Sequence, residues 1–387
     1  MNMRKIKVGI LGCNDVGEFF KNGLYQNAWS LGKMLNDTGE FDVSLISEGP
    51  CKSERTIGLN CFQHNIDILK EQDVIIQVAY SVKGTEAKIL QKKGIKLILT
   101  KYGNNLATDI ETYVQYNLDL KPKFDLNEWF RLSHSFTPDL LLYSPHFEFQ
   151  KQYMTLTAGI SEDLVKPCPY IWNPFFINTY SEIYKKKLGN KYSLEYVRGD
   201  ARNNSIASVE PSIAFIKANL VPIIMINEAY KESPELMRHA HIFNSELLIA
   251  GENGKLLSNR MTFLKAFKEK AMTLERRLPM IDIFANKARL LVSHQILNSL
   301  NYTYFEFALN GYPFVHNSEL LSEYGYYYDG CSVLDGKDKI KEALQHDELS
   351  DKEIRIYNNS CEEMLWKHSP MNPKNISGYT ELIKSVL

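Results

Sequence analysis

No apolar run in this 387-residue sequence approaches the ~20 residues that cross a bilayer, so no membrane-spanning helix is predicted. Charge of one sign is also missing. Lys and Arg number 45 against 46 Asp and Glu, a net charge of −1, so no global positive field draws in nucleic acid, although a local basic groove stays open. The six cysteines, Cys13, Cys51, Cys61, Cys168, Cys331 and Cys361, contain no C-x-x-C pair and no zinc-type spacing. A reduced cytoplasmic protein is the simplest reading. The G-x-G-x-x-G fingerprint is absent. Gly12 and Gly17 have the P-loop step, but Glu18 and Phe19 stand where Lys and Ser/Thr are required. The β/γ-phosphate contact is therefore missing, and a tight turn is the better reading. No internal repeat and no low-complexity tract occurs.

What is present is an alternation. Ile6–Leu11 is a compact apolar run of the kind that forms a buried parallel strand. Its basic prelude could mimic a signal peptide, but the run is too short and Asn14-Asp15 ends it. Gly23–Leu35 follows with helical apolar spacing, then Val43–Ile46, Val74–Val78, Ile95–Leu99 and Leu140–Tyr143 read as strands. Pro167, Pro169 and Pro174 with Trp172 mark a connection between domains. Beyond it Ala207–Val209, Pro222–Ile226, Leu247–Ala250, Ala288–Ser293 and Phe314–His316 read as strands, and Ser212–Asn219 and Asn301–Asn310 as helices. The tail, Ser377–Leu387, is a last helix. The rhythm predicts two consecutive α/β domains with parallel sheets, a cleft between them, and ligands at the carboxyl ends of strands.

Single features weigh lightly. His239 and His241 are two apart, and on a helix they would point to different faces. With no carboxylate set nearby, no metal site is expected. Lys185–Lys187 reads as a solvated charge run, with a phosphate contact as the sharper alternative. His134, Asp139 and His146 are candidates for an acceptor-side base, and His146 and Glu148 follow the Leu140–Tyr143 run directly. Residues do not select among the three.

The informative stretch is Ser293–Tyr328, SHQILNSLNYTYFEFALNGYPFVHNSELLSEYGYYY. A helix over Leu300–Leu309 is closed by Gly311 and stopped by Pro313. Glu306 is the one charged group in an apolar run, and a buried carboxylate is costly unless hydrogen-bonded or liganded. Its i−4 and i+4 neighbours, Tyr302 and Asn310, are polar. That face is either a solvated surface or a site wall.

The block from Glu306 through Gly311 to Pro313 resembles the E-A-M-A-x-G-x-P block of GT-B glycosyltransferases, with both spacings matching. The wider sequence is similar to a little-characterised glycosyltransferase-like family of bacteria and phages, carried as a domain of unknown function. The matching pieces are Asn22-Gly23 with Gln26-Asn27, Val209-Glu210-Pro211-Ser212 through Lys217, Ser293-His294-Gln295, Asn301-Tyr302, His316-Asn317-Ser318 and Gly325–Tyr328. The resemblance implies an α/β protein of GT-B type, two Rossmann-like domains with parallel sheets facing across a cleft. Residues 1–170 would form the acceptor side, 171–366 the donor domain, and 367–387 a helix returning to the first. It implies a glycosyltransferase using a nucleotide-diphosphate sugar, UDP-linked by preference, with no cofactor and no metal. Glu306 would hold the ribose. Asn301, Tyr302, Tyr304, His294, Ser212, Lys217 and Arg198 would complete the donor site, Ser212 as a helix cap and Lys217 and Arg198 as cations for the diphosphate. Asn22, Gly23 and Gln26 would approach the sugar. Retaining members often carry a second glutamate eight residues before the ribose-binding one, where this chain has Asn298, so the stereochemistry is left open. The acceptor could be a glycan, lined by aromatics such as Trp129, Tyr143 and Trp172, or hydroxymethylated DNA flanked by Lys185–Lys187 and Lys265–Arg277. The setting would be the cytoplasm, or a host's if the gene is a phage's. A non-catalytic sugar- or nucleotide-binding protein on the same fold is the other class.

Overall fold

A computed structural model describes residues 4–13, 22–51, 58–118, 136–189, 194–212, 214–245, 259 and 261–387. The chain divides into two compact units, residues 1–173 with 366–387, and residues 174–365. No helix among the described residues is long and apolar enough to cross a membrane.

The first unit is built on seven parallel strands: β1 (Ile6–Cys13), β2 (Phe41–Ser47), β3 (Asn60–Gln63), β4 (Val74–Gln77), β5 (Lys96–Lys101), β6 (Leu140–Tyr143) and β7 (Val165–Pro167). They lie in the order β3-β2-β1-β4-β5-β6-β7. β1 is central and buried from Val8 to Cys13, which is why it reads as a continuous apolar run. Gly12 is pressed against Leu45 and Ala28, where a Cβ would come within 3.1 Å of the leucine. Gly12, inside β1, thus serves close packing, while Gly17 lies outside the described residues. The Gly23–Asp37 helix starts on Asn22, whose side chain accepts from the Leu24 amide at 2.9 Å.

The terminal helix, Pro373–Lys384, packs in this same unit. Tyr379 is fully buried, and its hydroxyl donates to the Pro169 carbonyl at 2.9 Å and meets Tyr102 at 3.2 Å. Cys51 and Cys61 form a disulfide with their Cα atoms 6.0 Å apart, which corrects the all-thiol reading of the cysteines. Cys61 lies within β3 and Cys51 four residues past β2, the strand that β3 pairs with, and their spacing matches no sequence motif.

The second unit repeats the plan with six parallel strands: β8 (Ser205–Ser208), β9 (His239–Ile242), β10 (Met272–Leu274), β11 (Leu290–Val292), β12 (Phe314–His316) and β13 (Tyr326–Tyr327), in the order β10-β9-β8-β11-β12-β13. In both sheets the chain builds outward on one side and then crosses to the other, so each has a switch point, at β1/β4 and at β8/β11. Ile206, Ala240, Ile242, Met272, Leu290 and Val292 pack under the Leu220–Glu232 and Val333–Leu344 helices to form the core.

Two expected elements are exchanged. Leu220–Glu232, expected to hold a strand over Pro222–Ile226, is a helix. Pro222 sits in its first turn, where the missing N–H costs nothing. Ser212–Asn219, expected as a helix, is a turn. Ser212 has φ +51, Ala214 and Lys217 form an isolated bridge, and Asn219 is the N-cap position of the helix that follows. The strand expected at Leu247–Ala250 lies outside the described residues.

Gly325 makes a clear test of this packing. It has φ +63, and a Cβ there would lie 2.6 Å from the Phe314 ring and 2.8 Å from its carbonyl. Gly325→Ala should cost about 2 kcal/mol or more. Gly103→Ala, where a Cβ meets nothing within 4 Å, should leave the urea midpoint unchanged. Equal midpoints for the two variants would show that this contact does not hold the sheet edge.

Candidate functional site

The switch point of the second unit is closed by one buried carboxylate. Glu210 follows the end of β8 and is 1% exposed. Ser293, just past β11, donates its hydroxyl to one carboxylate oxygen, and the Gln295 amide donates to the other at 2.9 Å. The same Ser293 hydroxyl meets Tyr304 at 3.1 Å. Burial pushes the Glu210 carboxyl upward, while the Ser293 bond, the positive charge of Lys217 and the Gln295 bond pull it back. Burial lowers Lys217 in turn, and Glu210 opposes that. The two lie on one loop, each opposing the shift that burial imposes on the other, and no hydrogen bond to the Lys217 side chain is formed among the described residues.

The loop carrying Lys217 is fixed from behind. Asn219 accepts from the Ser208 hydroxyl at 2.7 Å and donates to the carbonyls of Glu210 and Phe243 at 3.0 and 2.9 Å. It also donates to the Ser212 hydroxyl at 3.1 Å. Ser212 is therefore a turn residue and does not cap a helix, a correction that follows from the exchange of elements described above. Past β11, Gln295 and Asn317 exchange two bonds, at 2.9 and 2.8 Å. His294 is buried, with Nδ1 2.7 Å from the Tyr328 hydroxyl and Nε2 3.7 Å from the Cys331 thiol. Burial lowers its pKa, so it is a neutral imidazole near pH 7. His316 donates from Nε2 to the Tyr324 carbonyl and accepts the Ser318 amide on Nδ1. Burial holds its pKa at about 4, so it is a fixed neutral strut.

The helix expected after this loop spans Tyr302–Leu309, with Asn301 as its side-chain cap, accepting from Thr303 at 3.3 Å. Tyr304, Phe305, Phe307 and Ala308 are buried. Glu306 lies on the opposite face with Tyr302 and Asn310, since these are one turn apart. It is half-buried, and its carboxyl makes no hydrogen bond or ion pair with a described residue. Burial pushes that carboxyl up to about 8. A carboxyl displaced this far by desolvation, with no donor among the described residues, is a candidate ligand-binding group. Asn298, where a second glutamate was looked for, is buried and donates to Gln295.

The structure does not gather every expected residue here. Tyr304 is fully buried, with its hydroxyl committed to the Ser293–Glu210 network, so it stands behind the site. Arg198 precedes β8 by seven residues and bonds the Leu349 carbonyl at 2.7 Å and Asp351 at 3.1 Å, away from the carboxyl edge. Asn22, Gly23 and Gln26 belong to the first unit, where Asn22 is a cap and Gly23 opens the helix. Asp139 precedes β6, accepts the Leu97 amide at 2.8 Å and pairs with Lys96, so it braces the amino end of the sheet. His146 follows β6 and is buried against Phe147 and Tyr170. Tyr143 and Trp172, expected as lining aromatics, are buried. His134 and Trp129 lie outside the described residues. Glu210 and Tyr328 were not picked out as site residues. Glu210's one sequence signal is a carboxylate placed directly after an apolar strand and before a proline.

A pH test isolates Glu306. The folded state holds a proton up to about pH 8, whereas an unfolded chain releases it near the ordinary ~4.3. The raised carboxyl therefore adds stability that is full below the unfolded value and lost as pH rises through about 8. Glu306→Gln stays neutral throughout. Its urea midpoint should gain on the wild type between pH 5 and pH 9, and parallel curves would show that Glu306 is solvated.

A family described as "Protein of unknown function (DUF2827)" matches residues 8–383. No curated protein matches the sequence. Among solved structures the chain is similar to Anabaena Alr3699/HepE, crystallised with UDP, at 12% identity and TM-score 0.57, covering 98% of this chain and 100% of that one. It is similar to sucrose-phosphate synthase from Thermosynechococcus elongatus at 9% identity and TM-score 0.55, with 98% and 100% covered. It is also similar to the DNA modifying enzyme beta-glucosyltransferase of T4 phage at 13% identity and TM-score 0.53, again with 98% and 100% covered. At these identities the likeness is one of fold, and the fold is GT-B.

Proposed function

Since the chain belongs to the DUF2827 family, we propose its function from the site: it is a glycosyltransferase that takes a sugar from a nucleotide-diphosphate donor, UDP-linked by preference. The observation that carries this reading is Glu306. Its half-buried carboxyl, raised to about 8 and without a described partner, sits on the helix that follows β11. Its spacing to Gly311 and Pro313 is that of a ribose-binding glutamate. Ribose hydroxyls would supply the hydrogen bonds that the protein withholds.

The chemistry follows from the residues present. Breaking the bond between the sugar's anomeric carbon and the diphosphate leaves the bonding pair on the diphosphate. Lys217 and the positive end of the Tyr302–Leu309 helix dipole would take that charge without a divalent ion. Lys217 is suited to this because its ammonium is coupled to Glu210 yet not consumed by an ion pair within the described residues. The acceptor oxygen bonds the anomeric carbon and gives its proton to a base. Of the three candidates Asp139 is occupied as a brace, which leaves His146 as the described group to test. The similarity to enzymes of known structure supports a donor-binding role for the second unit through its fold.

The acceptor is proposed as a glycan or as hydroxymethylated DNA. Lys185–Lys187 are exposed in the last turn of the Phe175–Leu188 helix. Cations there complement the helix dipole, so they are explained without DNA, and the glycan reading is preferred.

Incubation with a panel of nucleotide sugars tests the proposal, reading release of free nucleotide with either acceptor or with none. One donor class should turn over, equally well in EDTA. Measured above pH 8, where the Glu306 carboxyl is ionised, Glu306→Gln should raise the donor KM by roughly 10- to 100-fold, the loss of a charge-assisted bond pair of about 1.5–3 kcal/mol. Binding of a nucleotide without turnover would make the protein a sugar-nucleotide receptor. Neither binding nor turnover would reject the site.

A further inference from the structure

The edge of the second sheet carries a polar cluster that the donor reading leaves unused. His239 and His241 were expected on a helix, on different faces. They lie instead on β9, where residues two apart share a face. Ala240 and Ile242 enter the core, so the two histidines occupy the other side of the sheet. Their ring centroids are 4.4 Å apart. β10 pairs with β9 in parallel and sets Thr273 beside His241. Glu275, the residue after β10, thereby arrives from 34 positions along the chain, and its Oε1 meets His241 Nδ1. Thr273 Oγ1 lies 2.9 Å from His239 Nε2 and 3.2 Å from Glu275 Oε1. One ligand atom from each of His239, His241 and Glu275 lies within 4.8 Å of the others. Both imidazoles open into a surface depression of about 600 Å³.

We propose that His239, His241 and Glu275 bind one divalent transition-metal ion of the zinc class, with the fourth position open to this depression. Two imidazole nitrogens and a carboxylate oxygen are a zinc donor set, and magnesium or calcium would demand oxygens. A tetrahedral ion with bonds of about 2.0–2.1 Å holds its ligands about 3.3 Å apart, which side-chain rotation reaches from the present spacing. Lys287 Nζ lies 2.9 Å from Glu275 Oε2, leaving Oε1 to the ion and supplying the outer hydrogen bond that orients a ligating carboxylate. The ion would tie the edge strand β10 to β9. None of these residues holds Glu210, His294 or Glu306, so the site is separate from the proposed donor chemistry.

The full chain, stripped with chelator and carrying Cys331→Ser to remove the exposed thiol, is titrated with Zn²⁺ against a chromophoric zinc indicator. One equivalent should bind, magnesium should not compete, and His239→Ala and Glu275→Gln should each weaken binding at least tenfold with the urea midpoint of the metal-free chain kept. Co²⁺ should give visible bands of four-coordinate intensity that His239→Ala diminishes. Failure of the parent chain to take up one equivalent overturns the proposal whatever the variants do. So does affinity within twofold of the parent in both variants.

Discussion

The second unit depends on the carboxylate of Glu210. A buried charge is tolerated only when its oxygens are satisfied, and here both are, by Ser293 and Gln295. Those donors come from beyond β11 and the acceptor from beyond β8, the two strands that flank the switch point. One set of hydrogen bonds thus fixes the two loops on which a ligand at this edge must rest. Removing one donor leaves a buried acceptor short and costs about 1.5–3 kcal/mol for a charged group. The same carboxylate opposes the lowering that burial imposes on Lys217, and Tyr304 is tied to it through Ser293.

Two carboxyls of different kind result within one domain. Glu210 is enclosed and fully used by its neighbours, so it positions. Glu306 is half-exposed, raised by burial and unused by described residues, so it is available. The contrast separates a framework carboxyl from an available one more sharply than either residue's identity could. His316 and His294 repeat it. The first is bonded at both nitrogens and titrates at about 4, and the second keeps Nε2 beside an exposed thiol.

Much of the fold was legible because parallel strands buried on both faces are continuous apolar runs. Phe314–His316 was located at its bounds, and Gly311 and Pro313 marked the end of the helix between β11 and β12. Where the reading failed, a local signal competed with a tertiary one. The run from Leu220 to Ile226 is so apolar that periodicity cannot tell strand from helix. That one exchange moved Ser212 from a cap to a turn. Treating His239–His241 as helical hid a shared face, and Glu275 joins them only through strand pairing 34 residues away. Arg198 and Asp139 sit elsewhere for a different reason: a charge close to a strand in sequence can lie at its amino end, where it braces neighbouring backbone.

Hydrogen exchange read by mass spectrometry, with and without saturating UDP, addresses the central claim, that the β8/β11 edge of the second unit receives the nucleotide. Protection should appear in peptides covering residues 210–217 and 293–306, with the first unit's β1 and Gly23–Asp37 segments unchanged by UDP alone. Protection confined to the first unit, or none at saturation, would contradict it.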